Sequence, residues 1–323
     1  MIKPVAIIAG EPNSISSEII FKSWIKRKRY KHGPFFIIGS IKLLNLQKKK
    51  LKYKIKIKKI DTNFKKNNFK NNDLLVYDIN YEQKKSFEKL SSKSNKYIFK
   101  CFEVAINLTE NNIIPGFINC PVSKESLFGK NHQGITEFLS KKSNKKGDEV
   151  MLIYNKELAV SPVTTHIPID HVSKQINENK IINKVKIINN FYKKKFKKKP
   201  HFAILGLNPH NSSHFKVNDK RKFIIKAVNK LIKFKVKVSG PISPDSSFVD
   251  FKRKNYDIII GMYHDQVLSP FKALYNYKAI NITLGLPFLR ISPDHGVGED
   301  IVGKKKANPE SLIESIKFFN KLN

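Results

Sequence analysis

Three histidines, His166, His210 and His264, each stand just past an apolar run that reads as a strand. The runs are Leu158 to Thr164, His201 to Leu207 and Ile258 to Met262. Neutral imidazole is a favoured ligand for zinc and similar divalent ions. Three protein ligands with a fourth position open is the arrangement in which a metal acts as a Lewis acid on a substrate oxygen. The alternative reading is three satisfied polar residues at strand ends, and the spacing alone leaves both standing. Lys272 and Arg290 are of the types that bind phosphate or carboxylate, and Arg does so with two parallel hydrogen bonds. Arg290 is one of only five arginines in a chain that uses Lys for nearly every other positive charge. Thr136 adds a hydroxyl where a helix opens, a natural place for an anion. Asn281 lies in a further apolar strand, 279–285. Beyond it Asp294, His295 and Gly296 begin a Gly-bearing loop that runs to Asn308.

Strands that alternate with helices must position these groups. Strands are expected at Pro4 to Ala9, Phe35 to Gly39, Leu74 to Ile79, Gly116 to Val122 and Val238 to Ile242. Residues 51–57 alternate apolar residues with Lys and read as a half-exposed edge strand. Val150 to Tyr154 and Leu158 to Thr164 read as a hairpin pair. Helices are expected over 94–110, 178–196, 219–234 and 310–322, and from Ser16 or Ser17, one of which is a candidate cap, through Trp24. The fold class is α/β with largely parallel pairing, and the 323 residues suffice for two such domains. In such sheets ligands sit at the carboxyl ends of the strands.

The formal net charge is +36. Taken alone, that points to nucleic acid or an anionic membrane surface. The lysines, however, are spread over the whole chain beside many Asn, Ile and Phe, which share AT-rich codons, and runs such as 193–195 and 197–199 read as solvated faces. Helix-turn-helix, zinc-finger and RNA-binding signatures are absent from the sequence. Cys101 and Cys120 are the two cysteines and form no CxxC pair, so a reduced, cytoplasmic setting is expected. No apolar run approaches the ~18 residues of a membrane span.

Eight segments now carry a resemblance. GEPNSISSEI, NCPVSKE, GITEFL, TTHIPI, GLNPH, GPISPDSSF, MYHDQVLSPFK and NITLGLPFLRISPDHG occur in order over essentially the full length. Together they resemble the 4-hydroxythreonine-4-phosphate dehydrogenase family of pyridoxal phosphate (vitamin B6) synthesis. The loop DHGVGEDIVGKKKANP is similar to the NAD-contacting loop of the wider isocitrate and isopropylmalate dehydrogenase class.

The resemblance implies two α/β/α domains with a cleft between them, isopropylmalate dehydrogenase-like. One is expected over 1–130 plus 268–323, bearing the cofactor loop. The other, over 131–267, is expected to carry metal, substrate and dimerisation residues. It implies His166, His210 and His264 as ligands of one divalent ion (Zn, Mg or Co), with Lys272 and His264 catalytic. Thr136, Lys272, Asn281 and Arg290 would contact substrate, and Asp294, His295, Gly296 and Asn308 would contact NAD or NADP. A homodimer whose active site is shared between subunits is implied too. So is oxidation of 4-phosphooxy-L-threonine at C3, followed by decarboxylation to 3-amino-2-oxopropyl phosphate.

The chain departs from the family's pattern at several points. GHTEF is GITEF here, so Ile135 stands where the family has a substrate-contacting His, and Ile135→His is expected to restore that contact unless His132 supplies it. GDPAGIGPE is GEPNSISSE, the NPHAGE loop is shortened, and DHGTA is DHGVG. Two other readings remain: a related metal- and NAD-dependent decarboxylating dehydrogenase of another hydroxy acid, and a basic protein that has lost catalysis and binds nucleic acid.

Overall fold

The computed structural model describes residues 3–30, 32–61, 69, 72–129, 134–142, 149–211 and 221–322. The chain divides into two compact units, 1–144 with 286–323, and 145–285. The sequence placed the breaks after 130 and 267. The first comes later because Ile135 and Leu139 pack into the core of the first unit with Phe102 and Phe117. The second comes later because Ile280–Leu284 pairs with Val150–Tyr154, which binds that segment to the second unit.

In the first unit the strand order is β3-β4-β2-β1-β5-β12, and every pairing is parallel. The strands are β1 (Val5–Ile8), β2 (Phe35–Gly39), β3 (Ile57–Lys59), β4 (Leu74–Asp78), β5 (Gly116–Asn119) and β12 (Leu289–Pro293). β1, β2 and β5 are buried at every residue, as expected of parallel strands covered on both faces. One face packs on α3 (Asn95–Glu110) through Ile98, Phe102 and Ala105. α1 (Ser16–Lys26) packs on α11 (Glu310–Leu322), and α11 on β12. The remaining helices are α2 (Ile41–Lys50), α4 (Lys124–Phe128) and α5 (Ile135–Lys142).

Two local expectations change. Residues 51–57 do alternate between buried and exposed, but α2 ends at Lys50 and pairing starts only at Ile57, on the sheet edge. Neither Ser16 nor Ser17 caps α1. Ile15 holds the cap position, Ser14 Oγ accepts from the Ser16 amide at 3.1 Å, and the Ser16 hydroxyl donates to Pro121 O at 3.3 Å.

In the second unit the order is β11-β6-β7-β10-β8-β9. The strands are β6 (Val150–Tyr154), β7 (Ala159–Pro162), β8 (Phe202–Leu205), β9 (Val238–Ile242), β10 (Ile258–Gly261) and β11 (Ile280–Leu284). β6 runs antiparallel to both β7 and β11, and the other pairings are parallel. The helices are α6 (Ile169–Gln175), α7 (Glu178–Phe196), α8 (Arg221–Lys233), α9 (Pro244–Asp250) and α10 (His264–Tyr275). The Lys193–Lys195 run is exposed in the last turn of α7, where cations complement the helix dipole.

At the amino end of β8 the His201 ring meets Ser239 Oγ at 2.9 Å and the Tyr256 ring edge-on. Burial and the nearby Lys237 push the His201 imidazole below its ordinary pKa. A depressed folded-state pKa contributes stability that is present above the unfolded value, ~6.5, and is lost as pH falls through the folded one. Denaturant midpoints compared at pH 7 and pH 5 are expected to fall further in the wild type than in His201→Gln. Equal falls would refute the assignment.

Candidate functional site

In the second unit the three histidines hang from neighbouring strands. His166 follows β7, His264 follows β10 and His210 follows β8, which are adjacent in that order. Main-chain bonds extend the register past the strand ends. The Val163 amide donates to Gly261 O at 2.7 Å and the Thr164 amide to Met262 O at 3.1 Å. The Thr164 hydroxyl reaches the same Met262 carbonyl at 2.8 Å. Gln266 spans the next gap: its Oε1 accepts from the Met262 amide at 2.6 Å and its Nε2 donates to Gly206 O at 2.8 Å. Gly261 leaves room for this turn, since a Cβ there would come within 2.5 Å of Val267. These restraints bring the His166 and His264 rings to a centroid separation of 5.8 Å.

His264 is the first residue of α10, and its Nδ1 lies 2.6 Å from Asp265 Oδ1. His210 is exposed in a short turn and has a left-handed backbone, φ 52°. Its Nδ1 faces Asp245 Oδ2 at 3.4 Å, from the start of α9 after β9. The Asp245 carboxyl is held below the usual carboxylate range, chiefly by the Ser243 hydrogen bond and the Ser246 amide. A carboxylate on Nδ1 fixes the tautomer that leaves Nε2 as the metal-binding nitrogen. The donor set therefore fits a divalent ion. Among the described residues of one chain, however, no three His, Cys, Asp or Glu side chains cluster closely enough to hold one. The sequence gives neither Asp245 nor Asp265 a role of its own, although each lies in one of the motifs that carry the resemblance, GPISPDSSF and MYHDQVLSPFK.

Lys272 is exposed two turns along α10 from His264, a spacing that returns to the same helix face. Asn281 is half-buried on β11, and its Oδ1 is buried without a hydrogen-bond partner. A buried acceptor left unused inside the fold suits a site that receives a donor from a ligand.

The first unit carries the other residues. Arg290, on β12, is 5% exposed, and its Nε donates to Asn119 Oδ1 at 2.6 Å. Asn119 ends β5 and is itself buried, and sequence reasoning gave it no role. The motif NCPVSK, read for its strand, was the available signal. Thr136 is half-buried in the first turn of α5. Its neighbour Ile135 is 4% exposed, within the core that also holds Leu127 and Leu139. That placement corrects the expectation that a His there would gain a substrate contact. Ile135→His would bury an imidazole among apolar side chains and is expected to cost about 1–3 kcal/mol in denaturant unfolding. An unchanged midpoint would show the position to be open. His132 lies outside the described residues.

The loop from Asp294 to Asn308 is tied down along its length. The Asp294 amide donates to Ser311 Oγ at 2.9 Å, and the Ile15 amide to Val297 O at 3.0 Å. Gly298 adopts φ 62° directly beneath Ile15. His295 Nδ1 lies 3.1 Å from Gly296 O, and Gly296 is exposed. Asn308 Oδ1 accepts from the Glu310 amide at 2.9 Å at the start of α11, which gives it a structural part beside any contact with cofactor. The end of the loop borders a cavity of about 480 Å³, lined also by Lys22, Lys26 and Tyr53.

Residues 31–319 match the family described as Pyridoxal phosphate biosynthetic protein PdxA. The chain belongs to the PdxA family. It is 38% identical to the 4-hydroxythreonine-4-phosphate dehydrogenase of Sulfurihydrogenibium sp. (strain YO3AOP1), over 97% of the chain and 96% of that protein. It is 30% identical to the D-threonate 4-phosphate dehydrogenase of Salmonella typhimurium (strain LT2), over 98% and 97% respectively. The crystal structure of the 4-hydroxythreonine-4-phosphate dehydrogenase from Klebsiella pneumoniae superposes with a TM-score of 0.85 at 27% identity, covering 99% of each chain. The fold of this PdxA-family chain is thus that of its solved relatives. No described helix is long and apolar enough to cross a membrane.

Proposed function

We propose that the chain is a 4-hydroxythreonine-4-phosphate dehydrogenase of pyridoxal phosphate biosynthesis. The observation that carries this reading is the row of His166, His264 and His210 on adjacent strand ends in a PdxA-family chain. The substrate is 4-phosphooxy-L-threonine. Hydride leaves C3 for the nicotinamide of NAD or NADP, and the C3 hydroxyl proton leaves to a base, giving a 3-keto acid. The C1–C2 bond then breaks: carbon dioxide departs and its electron pair forms an enolate across C2 and C3. Protonation gives 3-amino-2-oxopropyl phosphate.

His166, His210 and His264 would hold one divalent ion, with imidazoles drawn from two subunits of a homodimer. When bound, such an ion would supply Lewis-acid polarisation of the C3 oxygen. Asp265 and Asp245 orient the His264 and His210 rings. Arg290 and Thr136 bind the anionic ends of the substrate, and Asn281 accepts a hydrogen bond from it. Lys272 is the candidate proton carrier. The loop 294–308 holds the cofactor, with His295 near its adenosine or ribose portion. Binding that fixes C3 against the nicotinamide removes much of the entropic barrier.

Oxidation of D-threonate 4-phosphate is the second reading, favoured by the 30% identical relative. The two substrates differ at C2, where one carries an amine and the other a hydroxyl. The deciding assay is NAD(P)H formation from each substrate, with and without chelator. Chelator-sensitive turnover of 4-phosphooxy-L-threonine is expected. A preference for D-threonate 4-phosphate would transfer the assignment, and turnover of neither would refute both.

A further inference from the structure

Glu18 and Lys22 stand one turn apart on α1 and close on the backbone of a distant loop. Glu18 is 1% exposed. Its Oε1 takes the Lys22 ammonium at 2.7 Å and the Ala307 amide at 2.8 Å. Lys22 Nζ also donates to Ala307 O at 2.7 Å and to Lys305 O at 2.8 Å. An ammonium has three donors, and all three are used. Both backbone polar groups of Ala307 are thereby held by one ion pair. Most lysines among the described residues are exposed, whereas the Lys22 side chain is only 21% exposed.

The segment so held has no regular structure of its own between Ile301 and Glu310. Within it Lys305 adopts φ 59°, in the left-handed region that an L side chain seldom occupies. Such a conformation persists where its surroundings impose it. Hydrogen bonds to the carbonyls of Lys305 and Ala307 do so here, and charge assistance makes them about twice as strong as neutral ones. Lys306 and Asn308 alternate with the held residues and are exposed. The clamp therefore sets where those two side chains stand.

We propose that Glu18 and Lys22 are positioning residues for the nicotinamide cofactor: they preset the 305–307 backbone so that the loop meets the cofactor already ordered. This rests on the reading that the loop 294–308 holds the cofactor. A preformed loop spares the ordering cost on binding, so losing the clamp weakens cofactor affinity without touching the reacting atoms.

The test combines amide hydrogen exchange at Ala307 with calorimetric titration by NAD and by NADP. It uses the full-length wild type, Lys22→Met, Lys22→Arg and His295→Ala, each checked for folding by circular dichroism. Lys22→Met is expected to speed exchange at Ala307 and to weaken cofactor binding about tenfold, the size of one charge-assisted hydrogen bond. In turnover the loss falls on the Michaelis constant for cofactor. Lys22→Arg, which keeps the charge and donors, recovers most of both effects. Unchanged exchange at Ala307 in Lys22→Met overturns the clamp outright. If His295→Ala weakens cofactor binding and Lys22→Met does not, the loop reading survives and the clamp proposal falls. If neither variant changes affinity, the loop reading fails and the proposal fails with it. Should Lys22→Met not fold, Lys22→Gln takes its place under the same criteria.

Discussion

His264→Ala is expected to lower metal-dependent turnover by at least about a hundredfold. Partners one shell out from a metal are worth 10- to 100-fold, and a direct ligand is worth more. The fold should tolerate the change, because the ring is one-third exposed and the register there is held by Gln266 and Thr164 rather than by His264. The same loss is expected for His166→Ala and His210→Ala, whose side chains are more exposed still. Surface replacements of this kind move stability by about 0.5 kcal/mol or less. Asp265→Asn keeps the imidazole but removes the charge that fixes its tautomer, so it should fall between, about ten- to hundredfold. The measurements are steady-state rates across a divalent-metal titration, with denaturant midpoints alongside. Wild-type turnover by metal-free His210→Ala would sink the metal reading, and a collapsed midpoint would show that the histidines serve the fold.

Arg290→Lys should be nearly as damaging as Arg290→Ala. The guanidinium gives Nε to Asn119 from a rigid planar fork whose geometry matches a carboxylate or phosphate, whereas an ammonium presents a point charge without that fork. Loss of a hydrogen bond to a charged substrate group costs roughly 1.5–3 kcal/mol, about ten- to hundredfold in kcat/KM. Arg290→Ala carries a second cost. It leaves Asn119 Oδ1 without its donor in a site where Asn119 is 2% exposed, which should destabilise the first unit by about 1–3 kcal/mol. Kinetics and urea unfolding on Arg290→Lys, Arg290→Ala and Asn119→Ala separate the two contributions. Full activity in Arg290→Lys would remove Arg290 from the substrate site.

Much of this architecture was written in local pattern. The all-apolar strands β1, β2 and β10 are buried on both faces, so their sequences carry a continuous hydrophobic run that needs no partner to be recognised. α7 and α11 were legible to the residue because their apolar spacing repeats along one face. The three histidines could be named because each follows such a strand, and chain direction alone puts it at a carboxyl end. The motifs themselves, in order over the full chain, fixed the family.

Other features depended on which strands became neighbours. Nothing local says that β7, β10 and β8 lie side by side, although this alone makes a row of His166, His264 and His210. Residues 51–57 have a strand's alternation, but a strand also requires a partner, and β4 offers one only from Ile57. Ile135 looked like a vacated binding position until the core of the first unit closed over it. Asn119, Glu18 and Lys22 act on groups far along the chain: Asn119 on Arg290, and Glu18 and Lys22 on the 305–307 backbone. Composition and periodicity report what a residue can do with its near neighbours. Hydrogen bonds between segments more than a hundred residues apart form only when the fold has brought those segments together, so tertiary structure alone decided them.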